Sequence, residues 1–392
     1  MQELQRTTRE SKHATERTAI LAAVVPEKAH PFVLEELDLD EPREDEVLVR
    51  VVATGICHTD LIIRDQYYPV PLPVVLGHEG AGVVERVGAA VTKVKAGDHV
   101  VMTYPSCGKC PNCMADRPAY CLESYQRIFS GARIDGSTAL HRRGQNEPVH
   151  GHFFAQSSFA TYSLATERNV VNVRKDVPLE MLGPLGCGIQ TGAGAVLNTM
   201  QAPAGSSIAI FGSGAVGLSA LMAARVAGCT TIIAVDTKPN RLTLARELGA
   251  THTLNALETD VVEEVQHITG GGATFTLETT GRPQVLRQAV DALAILGTCV
   301  VVGAPPAGTE ASFDVNNLFV FGRTIRGIVQ GDSVPDVFIP RLIDLYVQGR
   351  FPFDRLLRFY PLEDINAAVQ DAEQGTTIKP VLRMESVERK KK

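Results

Sequence analysis

No stretch of the 392-residue chain approaches 18 uninterrupted apolar residues, which excludes a segment long and greasy enough to cross a bilayer as a helix. The first residues also lack the apolar core of a secretion signal, and Glu3, Glu10 and Glu16 speak against a targeting peptide. A cytoplasmic protein is therefore expected. Its eight cysteines should be reduced thiols rather than disulfides. Basic residues are not in excess: 38 Lys and Arg stand against 44 Asp and Glu, so no global field recruits nucleic acid or an anionic membrane. No repeat of fixed period stands out. Residues 1–17 are polar and aperiodic and read as a disordered tail, and 388–392 reads as a solvated basic end. What remains is 44% hydrophobic and 21% charged, ordinary for a globular protein, and too long for one core. Two domains are expected.

The text that is present is organised around residues 208–236. An apolar strand (208–211) runs into Gly212-Ser213-Gly214-Ala215-Val216-Gly217, then a helix, then a second strand closed by Asp236. The first glycine permits a tight turn, the second lets backbone N–H groups approach a pyrophosphate, and the third lets helix and strand pack closely. The helix N-terminus then faces the phosphates. Asp236 falls 19 residues after Gly217, where a carboxylate accepts from a ribose diol and repels a 2′-phosphate, which favours NAD over NADP. A structural strand-turn-helix of another doubly wound sheet is the alternative.

Two grammars divide the chain. Over 18–101 short strands (20–25, 46–53, 80–87, 99–103) are punctuated by glycine and proline in an all-β style, with a hairpin-like turn at Lys95-Ala96-Gly97-Asp98. Residues 107–154 are loop-rich, 161–173 returns to strand, and 183–194 is dense in glycine. From there strands at 207–211, 231–235, 274–278 and 298–303 alternate with helices near 215–227, 241–248, 261–268 and 283–293. That alternation is the signature of a parallel sheet with crossover helices. A last strand at 324–329, a helix at 335–349 and a strand at 379–384 follow, and the C-terminus is expected to rejoin the first domain. The division expected is 18–188, 189–330, and a returning segment 331–392.

Six cysteines fall into two sets. Cys107, Cys110, Cys113 and Cys121 form C-x2-C-x2-C-x7-C within fifteen residues, a lobe at 105–122. Four thiolates close a tetrahedron around Zn²⁺ and leave no open position, so such a site is structural. An iron–sulfur cluster or a two-disulfide staple are the rival readings. Cys57, His78 and Cys187 are dispersed, and each alone reads equally as packed core. Converged, two thiolates and one imidazole would be a zinc site with one open position. Cys229 and Cys299 read as small core residues.

Gly77-His78-Glu79-Gly80-Ala81-Gly82-Val83-Val84-Glu85, the four-cysteine lobe and the Gly212 turn, in that order, resemble the zinc-containing medium-chain alcohol dehydrogenases over residues 18–385. Asp65-Gln66-Tyr67-Tyr68-Pro69-Val70-Pro71-Leu72-Pro73 and Gly183-Pro184-Leu185-Gly186-Cys187-Gly188-Ile189-Gln190-Thr191 are most similar to the aryl (benzyl) alcohol branch. The resemblance implies a GroES-like, mostly β catalytic domain beside a Rossmann doubly wound parallel sheet, with NAD and two zinc ions per chain. It implies that Cys57, His78 and Cys187 hold the catalytic zinc, with Glu79 close behind and Asp60 orienting the histidine. By the same resemblance Thr59 matches the hydroxyl that would take the alcohol proton, although it also reads as a helix N-cap.

One departure is Ile62, which stands where many relatives carry a proton-passing histidine. Proton exit must then run through the ribose and His58, or directly to water. His58, often arginine in relatives, would approach the pyrophosphate, a weaker anchor than arginine. Asp236 and Arg241 would hold the adenosine ribose, Thr191 and Val216 would pack the nicotinamide, and Lys379 would reach the phosphates or else be a solvated strand-end lysine. Tyr68, Thr103, Phe153, Phe154, Ala304 and Val329 match the substrate pocket, with strand alternation putting at least one phenylalanine in the core.

The expected reaction is reversible oxidation of a primary aromatic or allylic alcohol to its aldehyde. The same chemistry on aliphatic alcohols or a glutathione–formaldehyde adduct, and a non-catalytic NAD-binding structural protein, are the alternatives. The partners expected are a small-molecule alcohol or aldehyde and a second copy in a homodimer or homotetramer, with no nucleic acid and no membrane.

Overall fold

A computed structural model describes residues 17–145 and 147–384. Of the tails expected at 1–17 and 388–392 only Arg17 is described, its Nε 3.0 Å from Asp40 Oδ1; the rest lies outside the described residues. Among those described, no helix is long and apolar enough to cross a membrane.

Six strands form one parallel sheet in the order His252–Asn255, Thr231–Asp236, Ser207–Phe211, Ala273–Glu278, Leu293–Val301 and Thr324–Gly327. Its inner strands are near-continuous apolar runs because helices cover both faces. Ile208 and Ile210 pack on one face with Leu218 and Leu221, while Ala209 and Phe211 pack on the other with Val261 and Val265. The helices Ala215–Ala227 and Pro239–Leu248 stop where Gly228 and Gly249 turn left-handed, at φ 86° and 111°. The first two crossovers run outward from Ser207–Phe211 on one side and the rest on the other. This strand order opens a crevice at the carboxyl end of Ser207–Phe211, the binding position of doubly wound sheets.

The other half is β-rich. Glu46–Gly55 is the hub of a seven-stranded sheet, antiparallel to Glu79–Val87, Tyr162–Thr166 and Lys379–Arg383. A five-stranded sheet is built on Thr18–Val25, paired with Val33–Leu39. The chain end thus returns: Lys379–Arg383 lies between Glu46–Gly55 and the parallel strand Leu357–Pro361. The helix Pro335–Val347 buries Phe338, Ile339, Leu342 and Ile343 in the same core as Ile208 and Leu218.

The sequence reading misses the strands Val33–Leu39 and His252–Asn255. The first carries three acidic residues in seven, and the second is a short, half-exposed sheet edge, so neither has the apolar run of a core strand. It also leaves 183–194 without a type. That segment is a 3₁₀ turn, Gly183–Gly186, followed by the helix Gly188–Gly194 and a π-helical turn, Ala195–Met200. Glycine disfavours helix intrinsically, but a Cβ at Gly192 would collide with the Val216 carbonyl oxygen, so close helix packing requires it there.

Candidate active site

Cys57 follows the hub strand and is the N-cap of the helix His58–Arg64; that position belongs to Cys57, not to Thr59. Three residues on, the buried Asp60 carboxylate organises the corner. Its Oδ2 accepts from the Cys57 N–H at 2.8 Å, and its Oδ1 accepts from the Gly77 N–H at 3.2 Å and lies 2.9 Å from His78 Nδ1. With Nδ1 committed, Nε2 is the free nitrogen. It is buried and has no hydrogen-bond partner among the described residues. Cys187 enters from the turn Gly183–Gly186, and the ligating atoms of Cys57, His78, Glu79 and Cys187 all lie within 4.8 Å of one another.

This donor set fits a zinc ion. An orphaned imidazole nitrogen facing two sulfurs and a carboxylate is costly when buried and is satisfied by a cation. The proton distribution agrees. Hydrogen bonding with Cys187 draws the Cys57 thiol well below its ordinary value, while the same contact, with burial, pushes Cys187 well above. Metal binding requires both sulfurs as thiolates, so it would release protons from this pair.

The Glu79 carboxylate belongs to this cluster, and Lys379 approaches it from behind, 2.9 Å from both oxygens. The Lys379 ammonium also donates to the Ile56 carbonyl at 3.1 Å and is only 3% exposed. This buried placement overturns the reading of Lys379 as a solvated strand-end lysine. Burial opposes the charge, but the Glu79 carboxylate outweighs it and raises the lysine's pKa.

Cys107, Cys110, Cys113 and Cys121 also bring their sulfurs within 4.8 Å of one another, and all are free thiols. Backbone N–H groups of Cys110 and Lys109 donate to the Cys107 sulfur at 3.2 and 3.5 Å, and that of Cys107 to the Cys121 sulfur at 3.2 Å. Donors aimed at sulfur stabilise thiolates, as a closed structural zinc site requires.

The glycine turn at 212–217 abuts the Cys57–His78–Cys187 cluster, not the four-cysteine lobe. A Cβ at Gly212 would collide with the Thr279 hydroxyl and one at Gly217 with the Gly212 carbonyl, whereas one at Gly214 would meet nothing within 4 Å. Open space over the second glycine is the cradle a pyrophosphate needs. Val216 Cγ2 would lie 3.8 Å from a Cβ at Gly188, the residue after Cys187, so the turn and the Cys57–His78–Cys187 cluster share one cleft. Asp236 sits at the edge of the same turn, accepting from the Ser213 N–H at 2.7 Å, with Arg241 3.8 Å away. Thr191 donates to the Cys187 carbonyl at 2.9 Å, and Thr59 lies 3.6 Å from the Cys57 sulfur.

Phe153 and Phe154 do not alternate on a strand. They sit in a 3₁₀ turn with Phe154 left-handed (φ 51°), which turns both rings onto His78: Phe154 stacks at 4.3 Å and Phe153 meets it edge-on at 5.4 Å. Phe129, unread in the sequence, joins them at 6.1 and 6.3 Å and stacks with Tyr68. Thr103 is fully buried and its hydroxyl is spent on the Gly186 carbonyl at 2.7 Å, so it supports the turn before Cys187 and does not face a substrate. A cavity of about 160 Å³ between the two halves is lined by His58, Ile62, Tyr68, Ala304 and Pro305. The Tyr68 hydroxyl closes one side by donating to the Pro305 carbonyl at 2.6 Å. Val329 is half-exposed.

Residues 43–175 match the alcohol dehydrogenase GroES-like domain, and 215–348 the zinc-binding dehydrogenase domain. A geraniol dehydrogenase of Castellaniella defragrans is 46% identical over 363 residues, 92% of this chain and 96% of that protein. The crystal structure of an alcohol dehydrogenase zinc-binding domain protein from Burkholderia ambifaria is similar at 60% identity and a TM-score of 0.93, covering 95% of this chain and 100% of that one. The benzyl alcohol dehydrogenase of Acinetobacter calcoaceticus is similar at 55% identity and a TM-score of 0.91, covering 94% and 100%.

Proposed function

We propose that this chain, which belongs to the zinc-dependent alcohol dehydrogenase family, uses NAD to oxidise primary aromatic or allylic alcohols reversibly to aldehydes. The observation that carries the substrate class is the aromatic cluster beside His78, with Phe154 on the imidazole, Phe129 next to it and the buried Phe153 behind. A flat ring or an allylic π-system buries well there, each aromatic contact contributing about 0.5–1.5 kcal/mol beyond its area.

Cys57, His78 and Cys187 would hold the catalytic metal, and Cys107, Cys110, Cys113 and Cys121 a structural one. When bound, zinc supplies Lewis acidity and NAD the hydride acceptor. The chain's own residues do the rest. Asp60 fixes the His78 tautomer so that Nε2 faces the centre. Phe154, backed by the fully buried Phe153, excludes water and orients the alcohol carbon toward the nicotinamide side, where Val216 and Thr191 lie. Thr59 takes the hydroxyl proton and hands it outward; Ile62 cannot receive it, and the exposed His58 on the same helix or solvent does. The balance is one proton and one hydride lost per alcohol. Asp236, accepting from the ribose diol, selects NAD.

Two chains pair through the sheet edge at Thr324–Gly327, where Ile295, Leu296, Phe319 and Val320 are exposed; a monomer by light scattering would exclude this. The domain limits 18–188, 189–330 and 331–392, and residence in the cytoplasm, belong to the same reading.

Initial rates with benzyl alcohol, geraniol, ethanol and the glutathione–formaldehyde adduct, each with NAD and NADP, test it. The first two with NAD should be preferred. Preference for ethanol or the adduct overturns the substrate class, and no turnover with any of them favours a non-catalytic role.

A further inference from the structure

Beyond the edge strand Thr324–Gly327 the backbone makes a turn in which Gln330, Gly331 and Asp332 all have positive φ, at 53°, 67° and 49°. Two non-glycine residues in that region are a strain that surrounding contacts must hold. They do. Asp332 accepts from the Tyr120 hydroxyl at 2.6 Å, the Thr199 hydroxyl at 2.9 Å and Arg326 at 2.6 Å. The Ser333 carbonyl accepts from the Tyr104 hydroxyl at 2.6 Å, and Gly331 packs so closely on the Gln190 carbonyl that a Cβ would collide with it.

From this turn the Gln330 side chain reaches Cys187, with Nε2 3.8 Å from the sulfur. The amide beside it, Gln190, has a fixed orientation. The fully buried Gln190 must present its NH₂ to the Gly186 carbonyl, 2.6 Å away, while its oxygen takes the Ser333 hydroxyl at 2.9 Å. Its two N–H groups are taken by that carbonyl and by the Thr103 hydroxyl at 2.8 Å, and Gln330 Oε1 lies 3.4 Å from the same nitrogen. The Gln330 carboxamide is placed with this oxygen toward Gln190 and its N–H groups toward Cys187.

We propose that Gln330 is a positioning residue for the catalytic metal centre: from the cofactor-binding half of the chain, it donates a hydrogen bond that orients the Cys187 thiolate and draws charge from it. This rests on Cys57, His78 and Cys187 holding the metal. Residues hydrogen-bonded to metal ligands commonly govern metal retention and ligand basicity by tenfold or more.

Co²⁺ replacement tests it by absorption, taking the difference against Cys57→Ser so that the four-cysteine site cancels. In Gln330→Met, which keeps the volume and removes the donor, the thiolate-to-metal charge-transfer band moves to lower energy. Loss of that one metal to a chelator becomes about tenfold faster, while the four-cysteine metal is retained. Gln330→Asn, which tolerates the left-handed backbone but is one methylene too short, shifts both readouts in the same direction and guards against misfolding of the Met variant. A wild-type band and rate in either folded variant overturns the proposal. Wild-type protein that binds one metal per chain overturns the underlying site instead.

Discussion

Lys379 Nζ lies 2.9 Å from both carboxylate oxygens of Glu79, and the two side chains are 4% and 0% exposed. The last described strand of the chain is thereby tied to the residue next to His78. A buried charge whose partner is deleted stays behind unpaired, and such deletions cost about 3–5 kcal/mol. Lys379→Met should lose about that much stability in urea unfolding, and adding Glu79→Gln should recover part of it. Unchanged stability with a raised KM for NAD would return Lys379 to the cofactor phosphates.

Glu46 and Arg133 make a second buried pair, with Nε–Oε1 at 2.7 Å and Nη2–Oε2 at 2.9 Å. Burial alone would raise the Glu46 carboxyl, but the neighbouring His152 ring, Arg133 and the Arg43 backbone N–H outweigh it and hold it at about 2. A depressed carboxylate stabilises the fold above its unfolded value of 4.5 and ceases to as pH falls toward 2. Between those limits wild-type stability should fall more steeply than that of Glu46→Gln. Parallel curves would contradict the assignment.

Asp236 tests cofactor choice. Asp236→Ser removes the charge that repels a 2′-phosphate, so kcat/KM with NADP should rise relative to NAD by about tenfold or more. The carboxylate also accepts from the N–H groups of Ser213, Thr237 and Lys238, so the ratio of the two cofactors is the readout rather than either rate alone. An unchanged ratio removes Asp236 from the ribose.

Where chemistry is local, the sequence suffices to read it. The Gly212 turn and the four-cysteine lobe each lie within a few residues, and the turn geometry and N–H···S bonds that make them work act over the same span. Cys57, His78 and Cys187 are different. Nothing in spacing brings together residues 130 positions apart, and only the resemblance to a family selected them. The side-chain directions were not legible at all. Phe154 faces His78 because its φ is 51°, Lys379 turns inward because Glu79 is there to meet it, and Thr103 is consumed by a carbonyl. Gln330 carried no signal, because its contact with Cys187 depends on a left-handed turn.

The central claim is that Cys57, His78 and Cys187 form a catalytic zinc site separate from the four-cysteine lobe. Zinc content per folded chain, measured by mass spectrometry for the wild type and Cys57→Ser alongside turnover, tests it most directly. We expect about two zinc ions in the wild type and about one in the variant, with folding kept and turnover abolished. A variant that keeps both metals and its activity, or a wild type carrying iron, would contradict it.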